Sequence, residues 1–473
     1  MMASLDSDFE NFQSFNPENS NLRDRINECK EIIDAGKLYG ALDLVEDVIH
    51  DCLDNDLNNE GLFLTECLIE VAPYNSEYSI KKGLFLNALF RFEEAIVCYD
   101  KALSLNPGDV DALVDRSVAE ENIGLFSSAQ ESLEDALIID PNHEDALYSL
   151  GILHQRQGEF REAIKYFEKV TIIDPGYAEG YYELGFCYEN LEEYSEALKS
   201  YDKFLELDPY NASGWYNHAI ILVKLNRLEK AINSYELAVA LKEDFPSAWF
   251  NKGNVLAELG RFKEALDSFK RAYKLDNYDE ATCFNIGNLY EELGDTLNAI
   301  KYYNKAVKIN NEYYEAYLAR GYCYDASGKY QFALKDFNTA ISLSQDNAEA
   351  WYAKADLEYS LGQLKESVNS YLHAVKIQPL NYDVWYTLAE TYIELGDWLN
   401  ALDAFDHCCI VKPDDANAVY GKAKINFILS RTEEAIKCLK IAFELDPGIQ
   451  KEFAREYPEV KSSRLFKKLL GEN

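Results

Sequence analysis

Three asparagines, Asn217, Asn251 and Asn285, stand 34 residues apart, and each directly follows an aromatic residue: Tyr216, Phe250 and Phe284. An amide side chain carries one acceptor and two donors, so it can pair with both the C=O and the N–H of an extended chain whatever that chain's sequence. Asn254 and Asn288 follow three residues after Asn251 and Asn285, and Tyr182 holds the aromatic position one interval before Tyr216, ahead of Glu183. Neighbouring helices lie roughly 10 Å apart, which matches two to three residues of extended chain at about 3.3 Å each. A row of amides on successive helices therefore has the spacing to hold a peptide backbone, with the rings packing against its side chains.

Other chemistry finds little support. Acidic pairs such as Glu291-Glu292 and Glu192-Glu193 could be imagined as acid/base dyads, but charges of this kind far more commonly form a solvated helical face. His407-Cys408-Cys409 is the nearest approach to a metal cluster, yet adjacent residues on a helix point about 100° apart and cannot all face one ion. The ten cysteines contain no C-x-x-C pair and read as reduced core thiols. There is no G-x-x-x-x-G-K-[ST] loop, no G-x-S-x-G elbow and no zinc-type spacing. The expectation is a protein that is not an enzyme and needs neither cofactor nor metal.

The bulk composition narrows the partners. Lys and Arg total 46 against 83 Asp and Glu, a net charge of -37 that repels phosphate backbones and anionic lipid. Nucleic acid and membrane surfaces are therefore not expected as partners. Residues 1–20 have neither the basic segment nor the apolar run of a secretory signal, and no later stretch approaches 18 apolar residues, so a cytoplasmic location is expected. With 48% hydrophobic and 13% aromatic residues the chain can bury extensive apolar surface.

The elements that would position the asparagines follow from a strict internal period. Shifting the chain by 34 residues aligns eleven consecutive units, starting at Ser76, Val110, Glu144, Ala178, Ala212, Pro246, Glu280, Tyr314, Ala348, Tyr382 and Ala416. The eighth position is always small, from Gly83 to Ala423, and so is the twentieth, from Ala95 to Ala435. Bulky residues at positions four, seven and eleven complete an amphipathic stripe, as in Tyr181, Leu184 and Tyr188, so the first fourteen positions predict a helix, A. Position fifteen is glycine in seven units, which ends that helix with a left-handed residue. A second helix, B, carries an Ala-x-x-x-aromatic-x-x-Ala stripe, as in Ala265, Phe269 and Ala272, and closes at proline in seven units, among them Pro107, Pro209 and Pro447.

A large residue at four, small at eight, bulk at eleven, Ala at twenty, an aromatic at twenty-four, Ala at twenty-seven and Pro at thirty-two resembles the tetratricopeptide repeat family over residues 76–449. The resemblance implies an all-α fold: a right-handed superhelical solenoid of 34-residue antiparallel helix pairs, with the A helices lining the concave groove. In that family positions two, five, six, nine, twelve and thirteen of helix A face the groove, which would place Tyr182, Tyr216, Phe250, Phe284, the five asparagines, Glu291 and Glu292 there. The asparagine row is similar to the ladder in the repeats of protein O-GlcNAc transferases, limited here to three rungs between Glu183 and Ala319. Co-chaperone members grip a terminal carboxylate with lysine at position five, and no unit has lysine there. An acidic rim including Asp145, Glu179, Glu189, Asp356, Glu390 and Glu394 points instead to a basic or neutral ligand.

Outside the repeats, residues 1–21 are polar and read as an acidic disordered N-terminus. Residues 22–75 read as a divergent helical cap with one or two degenerate repeats, in three helices at 22–35, 38–54 and 57–72. Residues 450–473 read as a C-terminal cap, broken at Pro458, whose main helix starts near Val460. The expected function is a scaffold that binds a protein or an extended peptide. The alternative is a self-associating structural protein: residues 1–75 hold 17 acidic and 4 basic residues, and 450–473 hold 6 basic and 4 acidic, so end-to-end stacking into a homo-oligomer would be electrostatically complementary.

Overall fold

A computed structural model of the protein describes residues 17–457. Among these the chain forms twenty-six α-helices and one 3-10 turn, Leu38–Gly40, without a β-strand. From Ser76 onward the helices come in antiparallel pairs whose A members begin at the eleven starts given by the repeat. Helix A runs 13 residues, as in Ser76–Ala88, except for the 14 of Tyr382–Leu395, and helix B runs 14, as in Phe92–Leu105. The pairs are stacked as a solenoid, and the described residues divide after Leu241 into two compact units. Unit one holds helices Pro17–Asp34, Leu42–Asp54 and Asn58–Val71 and then five repeats. Unit two holds six repeats and the helix Pro447–Glu456. Within each unit some successive A helices touch directly, among them Val110–Asn122 and Glu144–Arg156, whereas contact between successive B helices is weaker.

The small residue at position eight is explained by a ring. A Cβ added at Gly151 would stand 2.5 Å from Phe167, one at Gly185 2.7 Å from Tyr201, and one at Gly287 2.5 Å from Tyr303. In each case the ring is position twenty-four of the same repeat, so helix B lays its aromatic side chain flat on the bare backbone of helix A. These rings are wholly buried, and each contributes on the order of 2–3 kcal/mol through burial of its apolar surface. A repeat alone leaves one side of this core open, so stability depends on the neighbours stacked against it.

Helix A begins under a cap that composition alone does not reveal. The residue before it accepts a backbone N–H through its side chain in eight repeats, for example Asn75 from Glu77, Asp109 from Ala112 and Asn347 from Ala350. Such a cap stabilises by about 1 kcal/mol. Where Tyr177 and Tyr313 take that position the cap is absent, and their rings lie against Tyr148 and Phe284 at 5.5 and 5.1 Å instead.

All eleven A helices turn through a left-handed residue at position fifteen. Seven are glycines with φ between 71 and 79°, and the other four are Phe90, Glu192, Asn226 and Ser430 with φ of 56 to 60°. A side chain in this conformation costs about 1–2 kcal/mol, partly offset by the greater chain entropy that glycine loses on folding. Ser430 is exposed, so Ser430→Gly is expected to stabilise the last repeat by about 0.5–1 kcal/mol. Denaturant melts would show this as a later midpoint with unchanged slope; an earlier midpoint would contradict it.

The ends differ from the sequence reading in detail. The first helix starts at Pro17, inside the segment read as disordered, and residues 1–16 lie outside the described residues. Its Leu22, Ile26 and Cys29 join Val45, Val48, Leu64 and the first repeat's Phe85 and Tyr99 in one core. At the other end Pro447 does not merely close helix B: it occupies the first turn of Pro447–Glu456, under an Asp446 cap. That helix covers the last repeat through buried Ile449 and Phe453, which pack on Tyr420 and Phe443. Position, not pattern, sets this cover, because it lies where the twelfth A helix would fall. The helix expected after Pro458 is outside the described residues.

Candidate functional site: the exposed face of the A helices

In unit one, Tyr182 and Asn217 are both half-buried, and the Asn217 amide donates to the Tyr182 hydroxyl at 2.9 Å. The Tyr182 ring is held edge-on by Tyr201 and Phe204 at 5.8 and 5.1 Å. Burial pushes its phenol up, and the Asn217 bond opposes that. Tyr216 stacks obliquely at 6.0 Å from Tyr235. One repeat earlier Gln155 donates to Glu183 at 2.6 Å, and burial pushes the Glu183 carboxyl up. Position-six side chains are thus already tied to the preceding repeat.

Unit two shows the same arrangement with different partners. Phe250 is backed by Phe269 at 5.4 Å, and Phe284 lies between Tyr303 at 5.7 Å and Tyr313. Asn251 and Asn285 are half-buried, and Asn285 donates to Asn254, one repeat back, at 3.3 Å. The Tyr303 hydroxyl stands 2.7 Å from Asn288 Oδ1 and 2.8 Å from Glu291 Oε2, so both acceptors share one proton from helix B. The Cys323 thiol also points at Glu291, at 3.6 Å. Glu291 and Glu292 are both exposed, and the first is bonded to Tyr303.

Sequence reasoning missed these tyrosines of helix B. Passing over the glycine or alanine of position eight, Tyr303 and Tyr371 deliver their hydroxyls to the A face, where Tyr371 bonds Asp356. The signal was present as a tyrosine, rather than phenylalanine, at position twenty-four opposite a polar residue at nine or twelve.

One constellation superficially resembles nucleophile, base and acid. His218 Nδ1 lies 2.9 Å from Ser234 Oγ and its Nε2 lies 3.0 Å from Asp202 Oδ1. Ser234 is only 4% exposed and bonds the Lys230 carbonyl, so it cannot meet a substrate. The same slot holds Arg116 between Ser132 and Asp100 in the second repeat, and Arg320 between Asp336 and Asn304 in the eighth. It is a recurring tie from position seven to its own helix B and the preceding one. Burial holds the His218 imidazole below its ordinary value, which suits that role. His407 is likewise engaged in stacking, 4.1 Å from Trp385, while Cys408 is fully buried.

Helix pairs of this length, a ring seated on a small residue and a fixed period define a class of repeat. Residues 148–212 and 216–280, then 76–109, 281–313 and 314–347, match the tetratricopeptide repeat, and residues 355–396 match the TPR repeat, together more than half of the chain. The chain belongs to the tetratricopeptide repeat family. Among solved structures it is similar to YrrB, a TPR protein with an unusual peptide-binding site, at 25% identity over 38% of this chain and 94% of that one, with a TM-score of 0.35. A tetratricopeptide repeat protein from Parabacteroides merdae is 22% identical over 52% and 97%, with a TM-score of 0.39. The APC/C hetero-tetramer Cut9-Hcn1 is 14% identical over 84% and 92%, with a TM-score of 0.37. No curated protein sequence matches significantly.

Proposed function

We propose that the protein is a non-catalytic scaffold that binds proteins or extended peptides on the exposed face of its A helices. The observation that carries this is the pairing, in both units, of half-buried aromatic rings with half-buried amides, each ring held by a core aromatic behind it. Rings fixed in this way offer contact area at little entropic cost. The tied amides keep further hydrogen-bonding capacity, since Asn217 and Asn285 each commit one N–H of three bonding groups. The net charge of -37 favours basic or neutral partners over nucleic acid or anionic lipid. No described helix is long and apolar enough to cross a membrane. A cytoplasmic scaffold without cofactor fits these features.

Replacing Asn217, Asn251 and Asn285 together by alanine is expected to weaken binding of a natural partner by about 0.5–1.5 kcal/mol for each hydrogen bond lost. Melting should fall only slightly, because the bonds to Tyr182 and Asn254 are part-exposed. Calorimetric titration of wild type and triple variant, beside thermal melts, decides the matter. Unchanged affinity sinks the proposal, and a large loss of melting temperature assigns the asparagines to the fold alone. Light scattering at two salt concentrations separates the end-to-end alternative, which requires growth at low salt while a scaffold stays monomeric.

A further inference from the structure

The lysines of the B helices provide an internal comparison. In the third and fourth repeats Lys165, Lys199 and Lys203 each pair with a glutamate of the same helix, at 2.7 Å. In the sixth and seventh, on Phe262–Leu275 and Thr296–Ile309, Lys270, Arg271, Lys274, Lys301, Lys305 and Lys308 make no ion pair among the described residues, in a chain where acids outnumber bases 83 to 46. Thr296–Ile309 holds no acidic residue. On Phe262–Leu275 Glu264 is taken by Arg261 at 2.6 Å, and Asp267 is the remaining acid. Tyrosine rings stand where carboxylates are missing. Lys305 lies over Tyr273 and Tyr302, 4.3 Å from the centre of each, and Lys270 over Tyr290 at 5.3 Å. The three rings adjoin one another, Tyr302 being 5.6 Å from Tyr290 and 6.3 Å from Tyr273. Arg271, Lys274, Lys301 and Lys308 are exposed around them. The two helices thus share one cationic surface, floored by rings that hold a charge without cancelling it.

We propose that this surface of Phe262–Leu275 and Thr296–Ile309 docks an acidic segment of another protein, its carboxylates set against Lys274, Lys301, Lys305 and Lys308. The inference goes beyond the A-face reading and stands without it. Lys270 and Lys274 are four residues apart, as are Lys301 and Lys305, which separates each pair by about 6 Å along its helix. Alternate side chains of an extended chain repeat at nearly the same interval, about 7 Å. Carboxylates on one side of such a chain therefore meet successive ammonium groups. Attraction between exposed charges reaches only about 8 Å at physiological ionic strength, so the patch governs a ligand beside it although the whole chain carries -37. That net charge also favours a short acidic run over a polynucleotide, whose charge continues beyond the patch.

The test is fluorescence anisotropy of the full chain with a labelled decapeptide of alternating glutamate and serine, beside the same peptide with glutamine for glutamate. The expected result is binding of the glutamate peptide about tenfold tighter than the glutamine one, as several weak exposed ion pairs acting together provide. Raising the salt should remove the difference. Lys274→Gln, Lys301→Gln and Lys308→Gln together should abolish the preference with no change in melting temperature, since all three side chains are exposed. Lys165→Gln, Lys199→Gln and Lys203→Gln together remove the same charge from paired lysines and should leave the preference in place. Equal affinity for the two peptides, or full affinity in the first triple variant, overturns the docking surface and leaves the A face standing. Equal loss in both triple variants overturns it too, as attraction to net charge alone. Tighter binding of a ten-residue oligothymidylate than of the glutamate peptide overturns the choice of partner and gives the patch to nucleic acid.

Discussion

Arg320→Ala is expected to destabilise unit two by about 3–5 kcal/mol, the range for breaking a buried ion pair from one side. Arg320 donates through Nε and Nη2 to the two oxygens of Asp336, both at 2.7 Å, and through Nη1 to Asn304 at 2.6 Å. Its guanidinium also lies over Tyr317 and Tyr324, at 5.2 and 5.8 Å. Asp336 is 3% exposed, so truncating the arginine strands a carboxylate with no solvent to turn to. The pair itself contributes less than this figure, because burying both charges is costly. The double variant Arg320→Ala with Asp336→Ala should therefore be more stable than Arg320→Ala alone. Hydrogen exchange should lose protection first in Tyr314–Ala326 and Tyr330–Leu343, the two helices that the pair joins. A double variant less stable than the single one would refute the account.

Asp115→Asn is expected to do the opposite at neutral pH. Asp115 holds position six of the second repeat, and its carboxyl is pushed up to about 6 by burial first and then by Asp111, Asp109 and Asp145. The buried Tyr99 hydroxyl, which also has no partner, lies within its field. An unfolded aspartate titrates near 3.8. Below that value both states are protonated and the carboxyl costs nothing. Between pH 4 and 6 the folded chain retains a proton that the unfolded one has released, and stability falls as pH rises. Above pH 6 the full penalty, about 1–3 kcal/mol for a two-unit shift, is in place. Asparagine removes the charge, so the variant should melt higher at pH 7.5 and match wild type at pH 3.5. Equal midpoints at pH 7.5 would show that solvent reaches the carboxylate.

Much of this architecture was legible because it is periodic. The starts of all eleven A helices, the small residues under the rings and seven left-handed turns follow from positions that repeat in kind. The four turns at Phe90, Glu192, Asn226 and Ser430 were not legible, because the neighbouring repeats impose the conformation and the residue merely tolerates it. The candidate residues were legible as recurring positions on helix A rather than as a set of bonds. Tyr182, Phe250 and Phe284 lie half-buried at position five of helix A, beside the stripe rather than in it, and their backing by Tyr201, Phe269 and Tyr303 depends on which helix B lies behind. Whether an amide such as Asn285 points outward or to Asn254 depends on a partner 31 residues away, chosen by side-chain geometry that pattern does not encode.

Several of the ties between repeats recur at the same separation along the chain. Arg116 reaches Asp100, His218 reaches Asp202 and Arg320 reaches Asn304, each 16 residues back. Gln155 meets Cys187, and Cys323 meets Glu291, at 32. A gene encoding such a chain can be lengthened by copying any 34-residue stretch, wherever the copy begins, since every group then meets a residue of the corresponding position. Loss or gain of a single residue within a helix turns every later side chain of that helix by about 100° and separates all the pairs at once. Unequal recombination at whole-repeat steps is therefore the tolerated route by which a chain of this kind changes its reach, and the number of repeats is free to drift while their length is held.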